Sequence, residues 1–455
     1  MQVFLEAIKK SGINADLIKQ MIEAHKQDHD RMIGLYTRYK AEVGGVPILS
    51  RKPIEYEDFE TGTIKRIDNK VNNRLNNAFD AEIVDTKIGY FLGHPISCNV
   101  DENASLRQET LDEFNLRNNV EDADAEWGKM AAICGYGARL AYIDTEGKER
   151  VINLPPWECI ILSDRAITEP VYSLRYYTVT NPLTQEQTLK VEFYDDTHVT
   201  FYEERSGVLT EVDKRLHTFD YCPLYGLPNN EELKGDAEKV LSLIDAYDRT
   251  LSDASNEIEQ YRLAYLVLKG VGVDEETMEK LKQTGIFELL DEDDDIKYLT
   301  KDINDSMIEN HLNRLEENIL RFAKSVNFTD EQFAGNVTGV AMKFKLMALE
   351  NKCITMERKM TAALRWQFKV LCSAWAKNGM AKPDDYLNIW FGFKRNLPAN
   401  IAEEADTTAK LKGLISEKTR LSLLSFVDDP TYEEEQMQRE QDAYNVSLDD
   451  NDEME

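Results

Sequence analysis

The 455-residue chain lacks most of the local signatures that announce an enzyme. There is no G-x-x-x-x-G-K-[ST] loop to cradle nucleotide phosphates. There is no H-E-x-x-H pair for zinc and no G-x-S-x-G elbow for a nucleophilic serine. Gly135-Tyr136-Gly137 has no third glycine at dinucleotide spacing. The six cysteines (Cys98, Cys134, Cys159, Cys222, Cys353, Cys372) contain no CxxC, which excludes a zinc ribbon and fits buried thiols in a reducing compartment. Six histidines are dispersed. His25 and His29 share a helix face at i, i+4, but Lys26 lies between them and no cysteine is near, so an exposed polar face is expected rather than a metal site. No catalytic, metal or cofactor residue is therefore assigned.

Long apolar runs are also missing. No stretch nears the ~18 residues needed to span a bilayer, and the first residues do not form a signal peptide. These absences imply a soluble chain made in a cytoplasm, with no membrane partner. Positive charge is scarce: 54 Lys+Arg stand against 84 Asp+Glu, a formal charge of −30. Such a surface does not grip nucleic acid by neutralising phosphates, nor does it dock on anionic lipid. Twelve of those acids, against the single base Arg439, fall in 428–455, where few apolar residues occur; the end of the tail is expected to be disordered.

What is present is periodicity. Residues 16–39 read as a helix closed by Gly44-Gly45 and Pro47. Leu75, Phe79, Ile83, Thr86 and Tyr90 place a second helix over 68–92, stopped by Gly93-His94-Pro95. Further helices are expected over 104–134. At Gly135-Tyr136-Gly137 the period changes to two, and short Val/Ile/Tyr/Thr runs to about 212 read as an antiparallel meander, with a hairpin at Thr145-Glu146-Gly147.

From 237 the helical period returns. Val240, Ile244, Tyr247, Leu251, Ala254, Ile258 and Tyr261 keep an alternating four-three spacing. Ile308, Leu312, Leu315, Ile319, Phe322 and Val326 repeat it after a capping box at Ser306-Met307-Ile308-Glu309. Between them lie a strand at 265–270, a short helix at 274–283, the acidic run Asp291-Glu292-Asp293-Asp294-Asp295 and a strand at 296–300. The acidic run lacks the glycine and terminal glutamate of a calcium loop and reads as a solvated loop or a docking patch for a basic partner. A third helix over 340–377 carries Met342, Leu346, Leu349, Cys353, Met356 and Met360 as its stripe. Lys345, Lys352 and Lys359 fall in line on a face expected to be solvated and balanced by Glu350 and Glu357. One strand is expected near 388–394 and helix over 399–425. The pattern is that of an α+β chain with a helical hairpin projecting from a body and carrying a small tip.

Three segments then carry a resemblance. They are 72–96, with Glu82-Ile83-Val84-Asp85-Thr86-Lys87-Ile88-Gly89-Tyr90; 245–270, from Asp245-Ala246-Tyr247-Asp248-Arg249; and 339–352, with Gly339-Val340-Ala341-Met342-Lys343-Phe344-Lys345-Leu346. In order and spacing they resemble the portal proteins of tailed double-stranded DNA bacteriophages, in the branch typical of long-tailed phages of Gram-positive hosts. The resemblance implies an α+β portal fold: a wing over 1–236, stem helices over 237–263 and 305–326, a clip over 264–304, and a tunnel loop over 327–339. A long helix and wing return then occupy 340–398, a helical crown 399–440 and an acidic tail 441–455.

It further implies a structural, non-enzymatic protein that closes into a ring of about twelve copies at one capsid vertex of the virion, assembled in the host cytoplasm. Double-stranded DNA would pass non-specifically through a bore of negative or neutral potential during packaging and ejection. Contact would fall to Phe328, Thr329, Asp330, Glu331, Gln332, Phe333 and Asn336, with sparse cations at Lys324, Lys343 and Lys345. The clip acids Asp291, Glu292, Asp293, Asp294 and Asp295 would serve docking. Implied partners are the terminase large subunit, a head–tail adaptor, and the major capsid and scaffolding proteins. Two rival readings are another head–tail connector or scaffold, and an enzyme using Asp144, Glu146, Asp164 and Glu192 in the β region. Scattered carboxylates on turns are more often surface than catalytic.

Overall fold

The structure is a computed structural model. It describes residues 2–53, 55–57, 64–66, 71–261, 265–269, 295–299, 305–327, 339–396, 401–424, 426–427, 430 and 432–441. The chain divides into a unit over Met1–Arg395 and a smaller one over Asn396–Glu455.

The first unit opens with helices α1 (Gln2–Ser11) and α2 (Ala15–Tyr39), the latter capped by the Asn14 side chain on the Leu17 amide. A short pair, β1 (Glu55–Glu57) and β2 (Ile64–Arg66), precedes α3 (Phe79–Phe91). Strand β3 (Ser97–Val100) leads into α4 (Gln108–Asn118) and α5 (Val120–Cys134). Eight strands follow: β4 (Tyr136–Ile143), β5 (Glu149–Leu154), β6 (Cys159–Leu162), β7 (Tyr172–Thr180), β8 (Gln187–Tyr194), β9 (His198–Arg205), β10 (Val208–Leu216) and β11 (Leu224–Pro228).

The meander is as expected. Five antiparallel strands run in the order β10-β9-β8-β7-β6, and a three-stranded sheet has the order β11-β4-β5. The switch from period 3.6 to period 2 falls where the glycines placed it. Gly135 ends α5 at φ +98, where a Cβ would lie 2.1 Å from the Leu233 carbonyl oxygen. A Cβ on Gly137 would lie 2.7 Å from the Trp127 backbone and ring. The hairpin at Thr145-Glu146-Gly147 forms around Asp144, whose carboxylate accepts the Glu146 and Lys148 amides.

Helices α1 and α2 cover one face of the five-stranded sheet, where Leu5, Ile8, Ile18 and Met21 meet Ile160, Leu174, Val191 and Phe193. A second core joins α2, α3 and α5 to β4 through Met32, Val84, Ile133 and Ala138. Arg139, wholly buried, stacks 4.0 Å over Trp127 and donates to Asp124 at 2.6 Å and Gln367 at 3.0 Å. This pairing satisfies a charge that would otherwise be costly to bury.

Helix α6 (Leu241–Tyr261) and helix α7 (Asp305–Ala323) form the hairpin. Between them β12 (Tyr265–Lys269) pairs antiparallel with β13 (Asp295–Leu299), as the two expected strands require. The expected helix over 274–283 lies outside the described residues. α7 begins at Asp305, ahead of the position that the Ser306 cap implied. Helix α8 (Gly339–Lys377) has 39 residues, about 58 Å at 1.5 Å each. Its stripe of Leu346, Leu349, Cys353, Met356 and Met360 is buried throughout. The strand expected near 388–394 is β14 (Ile389–Gly392), and its partner β3 was not anticipated.

In the second unit the helix expected over 399–425 is broken. It consists of α9 (Ile401–Lys410) and α10 (Glu417–Leu421), separated by a turn with Gly413 at φ +82. Residues 432–441 are helical, and the expected disordered tail falls outside the described residues.

Two further expectations are corrected. Residues 71–78 are not helical; α3 starts only at Phe79, and Leu75 is 39% exposed. His25 is buried rather than on a polar face, with Nδ1 2.9 Å from the Tyr176 hydroxyl. Burial lowers its pKa to about 4.

Candidate functional site: the root of the helical hairpin

The segments that stood out in the sequence meet at one place, where the α6–α7 hairpin joins the body. Phe79 and Ile83 of α3 pack with Val240 just before α6, with Ile244 of α6 and with Ile319 and Ala323 of α7. Val240, Ile244 and Ile319 belong to the two predicted stripes, while Ala323 takes the place expected of Phe322, which is exposed. The first end of α6 and the last turn of α7 thus meet, so the two helices run antiparallel. Farther along α6 the stripe emerges: Leu251 is half-buried and Ile258 is 59% exposed.

A polar layer surrounds this apolar plug. Asp236, just before α6, is buried and receives two ammonium groups, Lys87 of α3 at 2.9 Å and Lys352 of α8 at 3.0 Å. Lys87 also donates to Asn229 Oδ1 at 2.6 Å, and Asn229 donates to Asp236 at 3.0 Å. Burial alone would push the Asp236 carboxyl up, but Lys87 and Lys352 hold it below the usual range. Burial pulls the Lys352 ammonium down, and Asp236 offsets this only in part. Lys352 additionally donates to the Ala323 carbonyl at 2.8 Å, a cation at the C-terminal end of α7. One ammonium thus touches the start of α6, the end of α7 and the body of α8.

Arg38 of α2 makes a second junction. It donates to both oxygens of Asp80 at 3.1 and 3.3 Å, and to Asp245 of α6 at 2.9 Å. Arg395 makes a third, pairing with Glu350 at 3.0 Å and Glu357 at 2.6 Å while lying over the Phe91 ring. The Tyr90 hydroxyl donates to Glu350 at 2.7 Å.

The fourth junction explains why 71–78 is not helical. The Asn73 amide donates to Asn256 Oδ1 at 2.7 Å, the Leu75 amide to Ser252 Oγ at 2.9 Å, and the Asn77 amide to Asp248 Oδ1 at 3.1 Å. Asn77 Nδ2 adds a bond to the same Asp248 oxygen at 2.8 Å. Asp248, Ser252 and Asn256 are all buried. Burial raises the Asp248 carboxyl, with the Asn77 bonds acting against it.

The sequence-predicted site residues are distributed as follows. Lys324 is exposed directly after α7, at φ +55, and Lys345 is half-buried on α8. Lys343 lies on α8, but its side chain is outside the described residues. Phe328, Thr329, Asp330, Glu331, Gln332, Phe333 and Asn336 lie outside them too, as do Asp291, Glu292, Asp293 and Asp294. Asp295 pairs with Lys269 across β12–β13 at the backbone. The lysine line of α8 is not the solvated face expected: Lys352 is half-buried on Asp236, Lys359 pairs with Glu231, and Glu350 and Glu357 serve Arg395. Sequence reasoning missed Lys87, Asn229, Asp236, Asp248, Ser252 and Asn256. A visible signal existed for the last three, short polar side chains at steps of four alongside an apolar stripe.

Among the described residues, no group of three or more His, Cys, Asp or Glu side chains could hold a metal ion. Nor, among them, is any helix long and apolar enough to cross a membrane. Three of the four β-region carboxylates are engaged structurally, and Glu146 is exposed in a turn. Asp144 closes a hairpin and binds Arg150 at 2.8 Å, Asp164 binds Lys9 at 2.8 Å, and Glu192 accepts from Tyr177 and Tyr194.

At this root a helical hairpin is tied by ion pairs into an α+β body. Residues 18–446 match the family described as phage portal protein, SPP1 Gp6-like, and the chain belongs to that family. The portal protein of Bacillus phage SPP1 is 26% identical over 396 residues, 83% of this chain and 78% of the relative. That of Clostridium phage phiCD119 is 25% identical over 384 residues, 79% of this chain and 82% of the relative. Among solved structures, a chain from the neck of an empty GTA particle, computed with C6 symmetry, aligns with TM-score 0.47 and 14% identity. That alignment spans 76% of this chain and 90% of the other. The chain is thus a phage portal protein, a component of the virion at the capsid vertex.

Proposed function

We propose that about twelve copies of this chain close into a ring whose bore conducts double-stranded DNA during packaging and ejection. The α6–α7 hairpin serves as stem, the β12–β13 module as clip facing terminase and then the head–tail adaptor, and residues up to 236 as wing. The long helix with its wing return, the crown over 399–440 and the acidic tail over 441–455 complete the subunit. The loop over 327–339 approaches the duplex through Phe328–Asn336, with Lys324, Lys343 and Lys345 as sparse cations. Asp291–Asp295 offer the clip's docking charge. Capsid and scaffolding proteins meet the wing. The chain itself does no catalysis; a partner motor hydrolyses ATP, and assembly takes place in the host cytoplasm.

One observation carries this reading: apolar side chains along the hairpin and the start of α8 lie outside any core of a single copy. Ile258 is 59% exposed, Phe322 58%, Phe344 68% and Met347 55%. A neighbouring copy related by rotation would cover them, and rotation closes a heterologous contact into a ring. The net charge of −30 supports the conduit reading, because a wall that does not bind phosphate does not trap a sliding duplex. Negative-stain imaging of the purified protein tests the assembly: rings with a central hole are expected, and a monodisperse monomer overturns it. Deleting 329–336 tests the loop: packaging and DNA retention should both fall, and unchanged values would remove its role.

A further inference from the structure

We propose that residues 71–78 act as a strap that sets the axial position of α6 relative to the body, in steps of one helical turn. The inference takes from the preceding section only the reading of α6 as a strut.

The strap and the helix have matched periods. The three donors, Asn73, Leu75 and Asn77, are two residues apart, and the three acceptors, Asn256, Ser252 and Asp248, are four residues apart on one face of α6. Four helical residues advance about 6.0 Å. Two residues of fully drawn-out chain advance about 6.6 Å. The rungs therefore coincide only if the strap is held extended and antiparallel to the helix. The Asn, Ser and Asp side chains are short and buried, so they have little reach with which to follow a displaced strap. A slide of α6 by part of a turn breaks all three bonds at once and leaves three amides without acceptors.

A slide by a whole turn restores acceptors in one sense only. In one direction Asn77 would meet Ile244, a core residue with no acceptor, and lose both its bonds to Asp248. In the other, Asn77 and Leu75 would meet Ser252 and Asn256, the next residues in the same series. The sequence thus blocks the step one way and permits it the other, a discrete movement of the kind seen when packed elements ratchet past one another.

Residue-resolved hydrogen exchange on the full-length assembly, read by mass spectrometry with electron-transfer fragmentation, tests the proposal. The amides of Asn73, Leu75 and Asn77 should exchange slowly while those of Arg74 and Asn76 exchange fast, an alternation that neither helix nor loop produces. Ser252→Ala should speed all three protected amides together, by about tenfold or more, because the rungs share one register. Ser252→Thr, which keeps the hydroxyl, should restore protection. Acceleration of Leu75 alone in Ser252→Ala would overturn the proposal, showing three independent contacts. Uniform exchange across 73–77 in the wild type would overturn it as well. The pattern is read whether or not the assembly encloses a bore, so failure of the strap is separable from failure of the conduit reading.

Discussion

His25 shows how a single side chain can make stability depend on pH. It is buried against Tyr176, and Asp28, His29 and Arg31 on its own helix act on its charge, Asp28 favouring the proton and the other two opposing it. Burial sets its pKa at about 4, below the ordinary 6.5. In that interval the unfolded chain binds the proton and the folded chain does not, so folding stability rises with pH. The His25 contribution is complete above about pH 6.5 and is lost as pH falls towards 4, at up to about 1.4 kcal/mol per unit. His217, also lowered by burial, acts in the same sense. Urea midpoints measured from pH 7 to 4.5 should fall, and His25→Gln should flatten that slope. An unchanged slope would mean that His25 takes up its proton as readily in the folded as in the unfolded chain. The i, i+4 spacing with His29 placed His25 on a helix, but spacing does not say which face the five-stranded sheet covers. Its burial was therefore not legible from the sequence.

At the scale of elements, the stripes were legible and their polar seams were not. The four-three spacings located α6, α7 and α8 because apolar periodicity is written locally. Residues 71–78 misled for a related reason. Leu75 continues the α3 spacing, yet Asn72, Asn73, Asn76 and Asn77 belong to the type that competes with helix for backbone hydrogen bonds. What decided the outcome was a set of acceptors more than 170 residues away on α6. The lysine line of α8 failed likewise: heptad spacing put Lys352 in line with Lys345 and Lys359, but only the fold sets Asp236 beneath it.

The charge at that junction makes a test. Two ammoniums, buried Lys87 and half-buried Lys352, share one carboxylate, an excess of one positive charge. Lys352→Met removes the excess and leaves Lys87, Asp236 and Asn229 intact, so its cost should stay within about 1 kcal/mol despite the lost bond to Ala323. Lys87→Met also balances the charge but strips Asn229 Oδ1 of its donor, at about 1–3 kcal/mol. Asp236→Ala leaves two ammoniums facing each other and should cost most, about 3–5 kcal/mol. Denaturant midpoints in that order check the assignment; equal costs for the two lysine variants would contradict it.

The whole molecule presents a different balance. A chain carrying a charge of −30 repels its own copies at long range, so short-range apolar contact must hold the proposed ring together. Phe344 and Met347, three residues apart at the start of α8, are on one side of that helix, while Leu346 and Leu349 are buried on another. Placing a charge on the exposed side should leave the subunit's own core intact and act only between copies. Phe344→Asp and Met347→Asp should each shift the purified protein from rings towards monomers in light scattering, with thermal unfolding of the subunit changed by less than about 1 kcal/mol. Raising salt screens the general repulsion within about 10 Å and should favour rings of the unaltered chain, yet it should not rescue the aspartate variants, whose defect is a carboxylate buried without a partner. Salt rescue of either variant would show that the seam is electrostatic and that these apolar side chains do not form it.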